Sequence, residues 1–385
     1  MYQIHCLNKI SPGRFGEQYT VGAELAQADA VLVRSAAMHD MELPEQLLAI
    51  ARAGAGVNNI PIDKCSEQGI VVFNTPGANA NAVKELVICG LLLASRKVAR
   101  GMDWVKTLKG EGDQVGKLVE KGKSAFVGPE ISGKALGVIG LGAIGILVAN
   151  AAEALGMTVY GYDPYLSVDA AWGLSSSVHH ARSLDEIYAN CDYITLHLPQ
   201  TPDTKNMINA DALAKMKDGV RILNFARGGL VNSAELIAAL ESGKAAAYVT
   251  DFPDESLLDV EGVTAIPHLG ASTPESEDNC ARLAVDQVKD YLENGNIRNS
   301  VNMPAVSMAR DPGLTRICIL HRNVPNTISL FSGAVGDAGV NIENMQSMSR
   351  GNYAYTIFDV SGDLSDEAAA DLEKLDPIIR VRVIR

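Results

Sequence analysis

The segment Gly140-Leu141-Gly142-Ala143-Ile144-Gly145 constrains this chain more than any other. It follows the apolar run Leu136–Ile139 and opens an apolar stretch that continues to Ala152. A strand must therefore end there, turn sharply and restart as a helix. Each glycine has its own task in such a turn. Gly140 permits the bend, Gly142 lets a ligand approach the backbone, and Gly145 lets helix and strand pack closely. Ala143 and Ile144 fall in the first helical turn, whose free N–H groups and positive end suit a pyrophosphate. Asp163 closes the next expected strand, 18 positions after Gly145. There it would accept hydrogen bonds from a ribose diol and repel a 2′-phosphate. Pro164-Tyr165 brings no arginine to hold such a phosphate, so the expected cofactor is NAD rather than NADP. The alternative is a glycine turn that only packs.

The same region tests for a membrane span, because Ala135–Ala152 carries no charge over 18 residues. That length barely crosses a bilayer, and the central glycines favour strand–turn–helix instead. Charge points the same way. Against 46 Asp+Glu stand 33 Lys+Arg, a formal −13, which opposes binding to nucleic acid or anionic membranes through the overall field. Anionic ligands must then be held by local groups. Six scattered cysteines (Cys6, Cys65, Cys89, Cys191, Cys280, Cys318) form no Cys-x-x-Cys pair and have no histidine at ligand spacing. They read as buried small hydrophobes in a reducing compartment, with no metal site. MYQIHCLNKI lacks a charged stretch followed by an apolar one, so a cytoplasmic location is expected.

At 385 residues the chain has room for two or three domains. Ala30–Val33 and Ile70–Phe73 read as buried strands, with helices expected over Pro44–Ala51 and Asn79–Ser95. Lys106–Lys123 reads as an exposed connection. Strands are then expected at Leu136–Ile139, Thr158–Tyr162, Tyr193–Leu198, Arg221–Phe225 and Ala246–Thr250, followed by a long helix over Asn279–Glu293. Strand alternating with helix implies parallel sheets. Asn294–Pro312 resembles a linker, and the final ~70 residues follow a β-α-β-β-α-β, ferredoxin-like pattern read as a separate domain. The expected architecture is α/β, with two Rossmann-like lobes and a small C-terminal α+β domain. Its divisions are 1–96 with 285–303, then 97–284, then 314–385.

Three polar residues follow expected strands: Arg227 in NFARGG, Glu255 in DFPDES and His268 in AIPHLGAS. Beyond the carboxyl ends of a parallel sheet such residues can converge. Oxidation of a 2-hydroxy acid needs a base for the hydroxyl proton, which suits His268. It also needs a carboxylate to stabilise the imidazolium, which suits Glu255, and a cation for the substrate carboxylate, which suits Arg227. Taken singly, each is as well read as a turn or surface residue.

Over nearly the first 300 residues the chain resembles the D-2-hydroxyacid dehydrogenase family. RAGAGVNNI (Arg52–Ile60), NTPGANANAVKEL (Asn74–Leu86), GLGAIG, LHLPQTPDT (Leu196–Thr204), NFARGGLV and PHLGAST carry the likeness. The resemblance implies that Arg227, Glu255 and His268 form the catalytic trio, with His268 as acid/base. It implies two α/β lobes with the active site in the cleft between them. Pro199, Thr204, Phe225, Ala226, Arg227, His268 and Gly270 would add NAD contacts. Where the family reads Ala-Leu-Asp-Val-Phe, its Asp facing the nicotinamide amide, this chain reads Tyr248-Val249-Thr250-Asp251-Phe252. Asp251 matches by type and Thr250 by distance to Glu255; Asp251 is preferred.

The tail resembles an ACT domain. In serine-inhibited relatives of the family, positions matching His321, Asn323 and Asn341 bind serine across an ACT–ACT interface; Asn326 replaces a glycine usual there. Arg34, Ser35, Arg52 and the amides near Gly56 resemble substrate-side positions, and arginine forks suit a phosphate. Lys84 lies in a matching block without an assignable role. The resemblance thus implies oxidation of 3-phospho-D-glycerate at the start of serine synthesis, by a homodimer or homotetramer. Glycerate or erythronate-4-phosphate oxidation and an NAD-sensing regulatory role are the alternatives.

Overall fold

The computed structural model describes residues 1–8, 10, 15–362 and 364–385, the side chain of Asp169 excepted. Its first sheet joins β1 (Tyr2–Cys6), β2 (Tyr19–Val21), β3 (Ala30–Val33), β4 (Ala49–Arg52) and β5 (Val71–Phe73). All pairs are parallel, in the order β2-β1-β3-β4-β5. Both faces are buried. Ala30, Leu32, Ala49, Ala51, Val71 and Phe73 face one core, and Val31, Val33, Ile50 and Val72 the other. Two-sided burial is why these strands read as continuous apolar runs.

The second sheet holds β6 (Ala135–Ile139), β7 (Thr158–Tyr162), β8 (His179–His180), β9 (Tyr193–Leu196), β10 (Val220–Asn224), β11 (Ala245–Thr250) and β12 (Val263–Ala265). It too is parallel, in the order β12-β11-β10-β9-β6-β7-β8. In each sheet the strand order reverses once, between β1 and β3 and between β6 and β9. Ligands of such sheets bind outside the carboxyl ends at that reversal. A third sheet, antiparallel, orders β13 (Thr315–Arg322), β14 (Asn341–Arg350), β15 (Tyr353–Ser361) and β16 (Ile378–Ile384) as β14-β15-β13-β16. With helices Thr327–Asp337 and Asp366–Glu373 it completes the expected β-α-β-β-α-β pattern.

By contacts the chain forms two compact units, Met1–Ala78 with Glu277–Arg385, and Asn79–Ser276. This division departs from 96/97 and 284/285 for a local reason. Helix Ala80–Ser95 belongs to the second sheet, where Val83, Val87, Leu91 and Ala94 pack with Leu136, Val138, Leu223 and Val249. Gly90 makes room for a ring, since a Cβ there would lie 2.6 Å from Phe225. The antiparallel sheet has two apolar faces. Ile317, Ile319, Phe358 and Val360 face its own helices, whereas Cys318, Leu320, Tyr355 and Ile357 join the core of the first parallel sheet.

Other local expectations are corrected. Pro44–Ala51 is a turn followed by the start of β4, not a helix, because pairing with β3 and β5 overrides a helical apolar spacing. The connection at Lys106–Lys123 is helical, over Val98–Lys106 and Val115–Gly122, with Trp104 against Phe126 at 5.2 Å. Asn294–Pro312 is packed rather than a free linker. Asn302 accepts from Val72 N at 2.9 Å and donates to Ile70 O at 2.9 Å, standing in for an extra strand beside β5. Cys65, Cys191, Cys280 and Cys318 are buried and free, but Cys89 is exposed and Cys6 only half-buried.

Arg316 ties the antiparallel sheet to the rest of its unit. Its fully buried guanidinium pairs bidentately with Asp359, at 2.7 and 2.8 Å. It also donates to the carbonyls of Asn294, Met308 and Ala309 at 2.8–3.0 Å. Arg382 donates to Tyr291 O and Leu292 O, with its guanidinium 4.5 Å above the Tyr291 ring. Removing one member of a buried ion pair strands the other. Arg316→Ala should therefore lower stability by about 3–5 kcal/mol in urea unfolding of the full chain. A loss under ~1 kcal/mol, typical of surface pairs, would contradict this account.

Candidate active site

In the second unit the loops after β6, β7, β9, β10, β11 and β12 share one edge of the sheet. At β6, Gly140 adopts φ +94° and its N–H donates to Tyr162 O at 2.9 Å. A Cβ on Gly145 would stand 1.9 Å from Gly140 O, so helix Ala143–Ala154 meets the strand end without room for a side chain. A Cβ on Gly142 would meet nothing within 4 Å. Gly142 and Ala143 are exposed, Ile144 half-buried. Asp163 accepts from Leu141 N and Tyr165 N, both at 2.9 Å, and so clamps its own loop to the glycine turn. Pro199 and Thr204 close a turn after β9: the Thr204 hydroxyl donates to Pro199 O at 2.8 Å. An open backbone cradle beside a carboxylate fits a dinucleotide.

The turn after β10 is built on Asn224, which is fully buried. Its side-chain oxygen accepts from Ala226 N and Arg227 N at 3.2 and 3.3 Å, and its amide donates to Arg227 O at 2.9 Å. Phe225 points inward, and Arg227 outward with its guanidinium 5.8 Å from the Phe252 ring centroid. His268 lies on the same ring at 4.3 Å. Arg227 and His268 are thus brought together through Phe252. Glu255, exposed, opens the short turn Glu255–Leu257; no ion pair joins it to His268 among the described residues.

Asp251 is 2% exposed, and neither carboxylate oxygen has a hydrogen-bond partner. Burial pushes its pKa up, against the lowering influence of His268, the Gly270 amide and Arg227. A Cβ on Gly270 would lie 3.5 Å from Asp251 Oδ2. Thr250, by contrast, donates to Asn224 O and accepts from Phe252 N, each at 3.0 Å. Of the two residues, Asp251 is the one whose buried oxygens keep unpaired lone pairs. No cluster of three His, Cys, Asp or Glu suited to a metal occurs among the described residues.

In the first unit, Asn8 after β1 caps the loop after β3. Its side-chain oxygen accepts from the amides of Arg34, Ser35 and Ala36 at 2.8, 3.1 and 3.3 Å. Arg52 donates from Nε to Arg34 O at 2.9 Å and from Nη1 to Gly56 O. It braces the two loops, while the Arg34 guanidinium turns to Glu277. In the antiparallel sheet His321 is buried, its ring nitrogens against Arg322 O and Thr356 Oγ1 and its edge on Phe331. Asn323 donates to Gly351 O at the Tyr353 end of β15. Asn341 is registered with Ser361 at the other end, about 26 Å away at the usual strand rise. One copy does not bring the three together. Sequence reading assigned no role to Asn8, Asn224 or Phe252, although the last two lie inside quoted motifs.

Residues 88–270 match the D-isomer specific 2-hydroxyacid dehydrogenase family, NAD binding domain. Over 302 residues the chain is 35% identical to the D-3-phosphoglycerate dehydrogenase of Homo sapiens, covering 75% of this chain and 54% of that protein. With the protein of that name from Methanocaldococcus jannaschii it is 37% identical over 322 residues, 81% of this chain and 59% of the relative. The NAD+-bound crystal structure of 3-phosphoglycerate dehydrogenase from Entamoeba histolytica aligns with a TM-score of 0.58 at 27% identity. That alignment covers 78% of this chain and 98% of that one. The chain spans little more than half the length of the curated relatives it matches. No helix of the described residues is long and apolar enough to cross a membrane.

Because the Asp251 pKa is raised, the folded state holds that proton more tightly than the unfolded chain does. Ionisation therefore costs stability as pH rises beyond the ordinary carboxyl range, and the cost is absent below it. Asp251→Asn should stabilise the fold at pH 7 by on the order of 1 kcal/mol. The gain should vanish near about pH 3.5. Melting curves of both proteins at the two pH values check this.

Proposed function

We propose that the chain is a member of the D-isomer specific 2-hydroxyacid dehydrogenase family, whose NAD binding domain residues 88–270 match, and that it oxidises 3-phospho-D-glycerate to 3-phosphohydroxypyruvate with NAD, the first step of L-serine biosynthesis. The observation that carries this reading is the meeting of Arg227 and His268 on the Phe252 ring, beside the unpaired carboxylate of Asp251. When bound, NAD supplies the hydride acceptor. Gly140, Gly142 and Gly145 clear the approach, and the amides of Ala143 and Ile144 receive the pyrophosphate. Asp163 receives the ribose diol and Asp251 the carboxamide N–H, with Pro199, Thr204, Phe225, Ala226 and Gly270 shaping the edge.

On the substrate side, Arg227 binds the carboxylate as a fork. A ring nitrogen of His268 takes the hydroxyl proton as the C–H bond breaks, and Glu255 stabilises the imidazolium. Arg34 receives the phosphate, with Ser35 beside it, and the backbone N–H groups near Gly56 serve the carboxylate. Arg52 acts through the loops it braces. We assign the antiparallel sheet to the ACT type, with L-serine as effector. The separation of Asn323 from Asn341 within one copy supports a site shared by two copies, with His321 holding the Asn323 loop from within. A homodimer through the NAD-binding unit, extended to a tetramer by paired ACT sheets, follows from this assignment. The free cysteines suit a reducing, cytoplasmic setting.

NADH formation should be fast with 3-phosphoglycerate, slower with D-glycerate and negligible with D-lactate, and serine should reduce it. His268→Ala should lower turnover by about 10²–10⁴-fold, leaving NAD affinity within about two-fold. Turnover that survives this change would remove the acid/base role. NAD binding without turnover of any of these acids would favour a regulatory protein.

A further inference from the structure

Arg34 is less fully engaged than Arg52 or Arg316 of the same unit. Arg52 and Arg316 spend their donors on backbone carbonyls or a bidentate carboxylate. The Arg34 backbone is fixed by Asn8 and Arg52, so its Cα is not free to wander. Its guanidinium makes one hydrogen bond, from Nη2 to Glu277 Oε1 at 2.7 Å. That pair is monodentate and half-exposed, the side chains being 43% and 49% accessible. The rest of the fork is open. The neighbouring acid Asp278 is already held by Arg282, so Glu277 is the carboxylate assigned to Arg34.

We propose that Glu277 is a displaceable counter-ion that occupies Arg34 until a substrate phosphate takes its place, and so sets how strongly the site prefers phosphorylated acids. The proposal rests on the reading of Arg34 as the phosphate-binding arginine. A phosphate monoester carries about −1.5 to −2 charges and three acceptor oxygens, against one charge and a single contact from Glu277. It can fill the fork bidentately, which the carboxylate does not. The released Glu277 stays in the first turn of helix Pro274–Asn294, where free N–H groups favour a negative charge. An unphosphorylated acid leaves the pair intact. Weakly bound anions meet the same competition, so Glu277 also shields Arg34 from inorganic phosphate.

The test is steady-state kinetics of the full chain with 3-phosphoglycerate and D-glycerate, with inorganic phosphate as inhibitor, for Glu277→Gln, Arg34→Ala and the double variant. Glu277→Gln should lower KM for 3-phosphoglycerate about two- to five-fold, the strength of a half-exposed ion pair, with kcat unchanged. KM for D-glycerate should stay the same, and the inhibition constant of inorganic phosphate should fall by a similar factor. In the Arg34→Ala background, Glu277→Gln should change nothing, which places its effect in the pair. A higher KM for 3-phosphoglycerate in Glu277→Gln would make Glu277 a support for Arg34 and overturn the proposal. Equal shifts for both acids, or none, would overturn it too. If Arg34→Ala keeps the wild-type preference for the phosphorylated acid, the phosphate assignment itself fails. If the wild type shows no such preference, the substrate reading fails. Unchanged urea unfolding of the full chain in each variant shows that the fold is intact.

Discussion

Nothing fits between the end of β6 and the helix that follows it: a Cβ at Gly145 would overlap the Gly140 carbonyl oxygen. That contact sets where the strand stops and where the helix starts. It therefore sets the level at which the sheet's other strands must end for their loops to share an edge. Parallel register carries that level outward, through β9 on one side and β7 on the other. The turn after β10 inherits it, and Asn224 locks that turn through its three hydrogen bonds to Ala226 and Arg227. Phe252, one residue past Asp251, then carries Arg227 and His268 on its ring. The chemistry is placed by backbone geometry and finished by a few side chains.

What was legible in the sequence follows from the same physics. Strands buried on both faces are largely apolar, so β3, β5, β6, β9 and β10 could be read almost to their ends. β4 was misread, since PEQLLAIA has apolar residues at helical spacing and only its neighbours in the sheet make it a strand. Gly140 and Asp163 stand at the ends of β6 and β7, where their spacing puts them, because a tight turn after a strand depends on local sequence. Asn8 and Asn224 were not legible, because their side chains serve backbone amides, and no side-chain pattern marks such a partner. Asn302 escaped for the same reason, inside a segment that composition alone marked as a linker.

The −13 charge acquires a local meaning. Several arginines are consumed inside the fold. Arg52 and Arg316 bind carbonyls or a carboxylate, and Arg380 and Arg382 donate to backbone oxygens. Arg34 and Arg227 keep exposed guanidinium groups at the carboxyl ends of β3 and β10. On a chain of net negative charge, such exposed guanidinium groups at strand ends are points at which an anion can be held.

The core shared by Ile4, Ala30 and Phe73 with Leu320, Tyr355 and Ile357 has a consequence for how the chain is made. During synthesis the first sheet emerges before residues 79–276, yet one part of its apolar covering is translated only after them. Residues 79–276 carry their own cores and can close while the first strands wait. The order of the sequence is therefore not the order of assembly: strands that follow residues 79–276 complete the unit begun by strands that precede them.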